Sequence, residues 1–85
     1  MLDDILEAYP EDEFYTADGL NNAIIGIDEK SMKLIYSVKR ILEIFECRDG
    51  MSNEEALEYF EYNVAGAYLS EGGKDITPIY AYDIF

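Results

Sequence analysis

The sequence predicts a small α+β domain whose helices and strands follow one another in the order α-β-β-α-α-β. Three observations support this fold class: apolar residues recur at helical spacing in three segments, two short apolar runs are joined by a polar tetrapeptide, and an extended run follows Pro78. A small antiparallel sheet, made of a hairpin and the C-terminal strand, would pack against two main helices and bury these faces. We expect residues 1–85 to form a single acidic domain around one core.

The first element is a short amphipathic helix that ends at Pro10. Proline restricts the backbone of the residue before it, so Tyr9 should close the helix. We interpret residues 11–22 as a loop that could include a short strand at residues 14–16. The apolar side of the helix consists of Leu2, Ile5, Leu6 and Tyr9.

A hairpin is predicted from residues 23–27 and 32–36. Both runs are mainly apolar, and the tetrapeptide Asp28-Glu29-Lys30-Ser31 joins them. Two such runs with a short polar connection are typical of antiparallel strands. Gly26 lies inside the first run, which indicates a β-bulge or the close approach of another backbone.

Two helices follow the hairpin, and both have boundary signals. The first carries an apolar stripe, should end near Cys47, and has Gly50 available for the left-handed conformation of a C-cap. Ser52 and Glu55 have the spacing of a capping box at the start of the second, which should continue to about Leu69. The two apolar stripes are Val38, Ile41, Leu42 and Phe45 on the first helix, and Leu57, Phe60, Val64 and Tyr68 on the second.

The tail of the chain is predicted to be a closing strand. Pro78 favours an extended backbone at Thr77, and residues 79–84 alternate in a way that places Tyr80, Tyr82 and Ile84 on one face.

The charge of the chain constrains its partners. Nineteen acidic residues and six basic residues give a formal net charge of −13. A field of this strength repels nucleic acid and anionic membranes and attracts basic protein surfaces. The 49% hydrophobic content supports a folded domain over a disordered chain. We therefore expect a basic protein partner, no direct binding of nucleic acid and no binding to membranes.

The composition also excludes several kinds of site. There is no histidine, so Ser-His triads, Cys-His pairs and histidine metal ligands are absent. The single cysteine, Cys47, excludes zinc fingers and iron–sulfur clusters, and we expect it to be buried or half-buried. The sequence thus predicts a protein that is not an enzyme and has no cofactor and no metal site. Weak calcium binding by residues 11–13 and Asp18 is an alternative.

The acidic start of the chain predicts no secretory signal, and no apolar run is long enough to span a membrane.

The predicted interaction surface is a row of carboxylates on the capped helix. Glu54, Glu58 and Glu61 have the spacing i, i+4 and i+7, and Tyr59 and Tyr62 flank them. Neighbouring carboxylates would lie about 4.5–6 Å apart along the helix axis, which is comparable to the axial spacing of about 3.4 Å between phosphates of one DNA strand. Such a row could occupy phosphate positions in a basic groove. The alternative is an ordinary solvated face whose acids keep the protein soluble.

Five segments, taken in order, carry a resemblance to a known group of proteins. They are DGL at 18–20, AIIGID at 23–28, LIYS at 34–37, EALEYFEYNVAGAY at 55–68 and TPI at 77–79. In these segments the chain resembles small acidic proteins encoded by tailed bacteriophages, a group with no assigned activity. The resemblance implies a phage origin and expression in the cytoplasm of a host bacterium. It implies no catalytic or binding residue.

These observations lead to one main hypothesis and one alternative. The main hypothesis is an acidic phage inhibitor that binds a basic nucleic-acid-binding surface of a host protein such as a nuclease. It would resemble DNA-mimicking anti-restriction or anti-CRISPR proteins. The row on the capped helix would be its main contact, and Glu11, Asp12 and Glu13 a second patch. The alternative is a small phage assembly or adaptor protein whose acidic residues keep it soluble. Such a protein could form a homodimer.

Overall fold

The computed structural model describes residues 2–12, 14–17, 19–66, 70–71, 73–75 and 77–82. It confirms the α+β class and the order of the main elements. The helices are α1 (Leu2–Ala8), α2 (Val38–Asp49) and α3 (Asn53–Tyr59), and a π-helical segment (Phe60–Ala65) continues α3. The strands are β1 (Ile24–Asp28), β2 (Lys33–Ser37), β3 (Ser70–Glu71), β4 (Lys74–Asp75) and β5 (Ile79–Ala81), and a 3₁₀ turn (Asn21–Ala23) precedes β1.

Among the described residues, the main sheet has three strands in the order β1-β2-β5. Strands β1 and β2 form the predicted antiparallel hairpin, but β5 lies parallel to β2. The sheet is therefore mixed, and the expectation of a wholly antiparallel sheet is wrong in this pairing. The reason is the connection, because a chain that crosses over through helices can return to a sheet in the parallel direction. Strand β5 is shorter than predicted, and the predicted position of Ile84 lies outside the described residues.

The hairpin shows the predicted irregularity at Gly26. Ile24 pairs with Tyr36 and Gly26 pairs with Ile35, so the register shifts between them as in a β-bulge. The connection is held by Asp28, whose carboxylate accepts hydrogen bonds from the Lys30 amide at 3.2 Å and the Ser31 hydroxyl at 2.9 Å. Each strand begins one residue later than predicted.

A second, two-stranded ladder was not foreseen. Strands β3 and β4 pair antiparallel, with Ser70 opposite Asp75 and Glu71 opposite Lys74. Gly72-Gly73 separates the strands and is a known signal for a tight hairpin turn, so the sequence did contain a usable indication.

Helix α2 has caps at both ends. The Ser37 hydroxyl accepts a hydrogen bond from the Arg40 amide at 3.2 Å, and Gly50 adopts φ 68°, as predicted for a C-cap. Cys47 is exposed, so the expectation that it would be buried or half-buried is wrong. It follows the buried Phe45 by two residues, which places it about 200° around the helix from the core-facing side.

Helix α3 begins with the predicted capping box but does not continue as a regular α-helix to Leu69. From Phe60 the chain adopts a π-helical conformation that ends at Gly66, and residues 67–69 lie outside the described residues. Phe60 is fully buried at the start of this segment, and its ring packs edge-on against Tyr80 and Tyr82 of the C-terminal segment. These are tertiary contacts, which helical periodicity alone does not reveal.

The core lies between the sheet and the helices. Tyr36 is at its centre, and its hydroxyl accepts a hydrogen bond from the Ala17 amide at 2.7 Å, which fixes the loop after α1 to the sheet. Residues 14–16 lie in this loop and form no strand. Leu57, predicted to face the core, is 38% exposed, and Ala56 is buried in its place. The buried core of the described residues includes Ile5, Leu20, Ala23, Ile24, Leu34, Tyr36, Val38, Ile41, Phe45, Ala56 and Phe60.

Candidate functional site

The candidate site is the solvent side of α3 and of the π-helical segment that follows it. The capping box fixes the start of α3: the Ser52 hydroxyl accepts from the Glu55 amide at 3.2 Å, and the Glu55 carboxylate accepts from the Ser52 amide at 3.1 Å. Ala56 and Phe60 are both fully buried and hold the opposite side of the helix on the core. The backbone that carries the exposed side chains is therefore anchored at its start and along its length.

The three glutamates of the predicted row are all exposed. Within the described part of the chain, Glu54, Glu58 and Glu61 form no ion pair and no hydrogen bond through their carboxylates. The ion pair that the structure does describe joins Arg48 to Asp49 at 3.1 Å, at the end of α2. No described basic side chain therefore neutralises the negative charge of Glu54, Glu58 or Glu61.

The row is less regular than its spacing suggests. Glu54 and Glu58 lie in α3, one turn apart, whereas Glu61 lies in the π-helical segment. A π-helix closes hydrogen bonds from i to i+5 and so takes more residues for each turn than an α-helix. Glu61 is consequently displaced around the helix axis, and only Glu54 and Glu58 keep the predicted alignment.

The two tyrosines differ in how they are held. The Tyr59 ring is 44% exposed and packs edge-on against the Phe45 ring, with 5.0 Å between the ring centres. The Tyr62 side chain is 83% exposed. The site therefore presents one ring fixed by the core and a second ring that projects into solvent.

These side chains form an open groove that the spacing of the residues does not predict. It has a volume of about 340 Å³ and is lined by Met51, Glu55, Glu58, Tyr59, Tyr62 and Asn63. The structure thus brings Glu58, Tyr59 and Tyr62 together in the groove, while Glu54 and Glu61 do not line it. Met51 could not be assigned to the site from its sequence position, because it comes from the connection between α2 and α3.

A second cavity shares lining residues with the groove. It has a volume of about 280 Å³, and Tyr59 and Asn63 line both cavities. Its wall includes the loop residues Thr16 and Ala17, and Arg48, whose guanidinium donates a hydrogen bond to the Gly19 carbonyl at 2.9 Å. This cavity is mainly apolar and includes no acidic residue among those that line it.

The second predicted patch lies on a different element. Glu11 and Asp12 are exposed in a turn after α1, where the Asp12 amide donates a hydrogen bond to the Tyr9 carbonyl at 3.2 Å; Glu13 lies outside the described residues. Helix α1 packs on β1, whereas α3 packs on α2. Glu11 and Asp12 are not among the residues that line the groove.

The remaining chemistry of the chain adds little to the site. Burial raises the pKa of the Tyr36 and Tyr80 hydroxyls, so both stay neutral at physiological pH. In the described ranges, no three cysteine or acidic side chains are grouped in a way that could hold a metal ion, and Glu13 and Asp18 lie outside those ranges. No helix of the described residues is long and apolar enough to cross a membrane.

No protein family model, no curated protein and no solved structure matches this chain.

Proposed function

We propose that the chain is a phage-encoded acidic inhibitor that acts in the cytoplasm of a host bacterium by covering a basic nucleic-acid-binding surface of a host protein. The proposal depends on the exposure of Glu54, Glu58 and Glu61 and on their lack of ionic partners. All three are exposed, and within the described residues their carboxylates have no ionic partner. A cationic surface could therefore pair with them without first breaking contacts to any described residue.

The anchoring of α3 is a second feature that favours binding, in addition to the exposure of its glutamates. The capping box and the buried Ala56 and Phe60 fix the backbone of the site before any partner arrives. Binding then orders only a few side chains, and this lowers its entropic cost. The net charge of −13 would also attract a basic partner over a distance and raise the association rate at low salt.

The proposal is for a binding protein and not for an enzyme. Without histidine, and with a single exposed cysteine, the chain offers no residue with an evident role as a general base or an activated nucleophile. The partner class is a restriction nuclease, a CRISPR effector or another protein with a basic groove, and the inhibitor would take the place of the DNA or RNA backbone in that groove.

The test is a pull-down from host lysate at about 0.1 M and about 0.5 M salt, since exposed charges are strongly screened at the higher concentration. Wild-type protein should retain nucleic-acid-binding proteins at low salt and release them at high salt. The variant E54K/E58K/E61K should retain none. Any retained protein should lose its affinity for DNA or RNA in a gel-shift assay when the wild-type chain is added.

A matched control separates the site from the total charge. The variant D3K/E7K/E43K makes the same change in net charge at three exposed acids, and each triple includes one acid in the first turn of a helix. Circular dichroism checks that both variants fold. The control should keep the partner, and equal loss of the partner in both variants would contradict a site on α3.

A second candidate, the assembly or adaptor protein, is favoured by the apolar edges of the sheet. In the part of the chain that the structure describes, β1 and β5 are the edge strands of this sheet. Ile25 on β1 is partly exposed, and Tyr82 beside β5 is 62% exposed. Unpaired strand edges with apolar side chains are common sites of association. Sedimentation at high salt tests this candidate, because a homodimer formed through these edges would persist when the charges are screened.

A further inference from the structure

The groove beside α3 has the chemistry of a site for a cation with a flat face. Of its six lining residues, two are acidic, two are tyrosines and none is basic. The surrounding protein carries a net charge of −13, so an anionic occupant is strongly disfavoured. The groove lies open at the surface, where a side chain from a partner can reach it.

The carboxylates of the groove are not equivalent. One oxygen of Glu55 accepts a hydrogen bond from the Ser52 amide at 3.1 Å, so this side chain is held in the capping box. Glu58 has no such contact within the described part of the chain. Glu58 is therefore the carboxylate that is available for an incoming donor.

The aromatic rings decide between the possible cations. Tyr62 follows Glu58 by four residues, and both line the same groove. Most of the Tyr62 side chain is exposed to solvent, and the face of an aromatic ring attracts cations. A metal ion gains little from tyrosine rings, and the ammonium of lysine is compact and strongly hydrated. A guanidinium can stack its flat face on a ring while its N–H groups donate two parallel hydrogen bonds to one carboxylate.

We propose that this groove receives an arginine side chain of the basic partner, with the guanidinium stacked on Tyr62 and paired with Glu58. Met51 and the fixed ring of Tyr59 supply apolar surface for the methylene groups of that arginine. This inference rests on the proposed function, since it names the chemical group through which the basic partner is held. It adds selectivity for arginine over lysine, which a row of carboxylates alone does not provide.

The test compares two capped peptides of equal charge, each with three basic residues separated by glycines: one contains arginine and the other lysine. Their affinities for the whole chain are measured by NMR titration of the backbone amides at low salt. The overall negative field acts equally on both peptides, so the ratio of their affinities isolates the contribution of the guanidinium. We expect the arginine peptide to bind about three- to fivefold more tightly, as for an exposed cation–π contact.

Variants assign this preference to the groove. In Y62A the ratio should fall to about one, and in E58Q the arginine peptide should lose more affinity than the lysine peptide. The matched control E7Q changes an exposed glutamate elsewhere and should leave the ratio unchanged.

The outcomes separate this inference from the proposed function. If both peptides bind the wild type equally and in a salt-dependent way, the arginine site is wrong and the acidic binding surface remains supported. A preference that persists in Y62A would also overturn the arginine site. If neither peptide binds at low salt, both proposals fail.

Discussion

Two acidic regions of this protein share a sequence pattern but differ in how they are held. Helix α1 and helix α3 are each seven residues long, and each is amphipathic with acids in its first turn. In α1 the buried residue is Ile5, and the helix packs on β1. In α3 a capping box, the buried Ala56 and the buried Phe60 that follows all hold the backbone. The acids of α3 therefore lie on a backbone that has a capping box in addition to buried side chains, whereas α1 is held by Ile5 and its contact with β1.

The largest effect expected from this difference is on stability. Phe60→Ala removes a fully buried ring that contacts two tyrosines, and such a change typically costs about 3–5 kcal/mol. Ile5→Ala removes fewer atoms from the edge of the core and should cost about 2–3 kcal/mol. Urea denaturation measures both values. Equal losses would show that α1 is anchored as firmly as the segment that follows α3.

The two regions also show what sequence reasoning can and cannot reach. The hairpin, the bulge at Gly26 and the caps of α2 and α3 were predicted because each depends on residues close together in the chain. The parallel pairing of β5 was not, because it depends on where a crossover of about 40 residues returns to the sheet. Local pattern carries no information about that return.

The candidate site shows the same division. Exposure of Glu54, Glu58 and Glu61 followed from helical periodicity and is what the structure shows. The groove could not be predicted, because it needs Met51 from the preceding connection and Tyr62 from a segment whose helical geometry changes at Phe60. The Met51 amide donates a hydrogen bond to the Phe45 carbonyl at 3.2 Å, and the Phe60 ring packs on Tyr80 and Tyr82. Helical periodicity reveals neither contact.

An intermediate effect is expected at the cap of α3. Ser52→Ala removes the hydroxyl that accepts a hydrogen bond from the Glu55 amide, and the loss of such a cap costs about 1 kcal/mol. Asn53→Ala is the matched control, since Asn53 is exposed at the first helical position and alanine is a good helix former. Urea denaturation should show a loss in the first variant and no loss in the second. If Ser52→Ala leaves stability unchanged, the capping box does not anchor the site.

The smallest effect is a change in peptide affinity, expected from substitutions in the turn after α1. Glu11→Gln with Asp12→Asn removes two exposed charges, and the hydrogen bond from the Asp12 amide to the Tyr9 carbonyl is kept because it uses backbone atoms. Charges at the rim of a surface act mainly through long-range attraction, so the lysine peptide should bind about twofold more weakly. The ratio between the affinities of the arginine and lysine peptides should not change, because neither Glu11 nor Asp12 lines the groove.

The double variant Glu58→Gln with Glu61→Gln removes the same charge from the anchored region and should weaken binding of the arginine peptide more. If the two double variants weaken both peptides equally, the negative charge acts as a diffuse field and the anchoring of α3 has no role in binding.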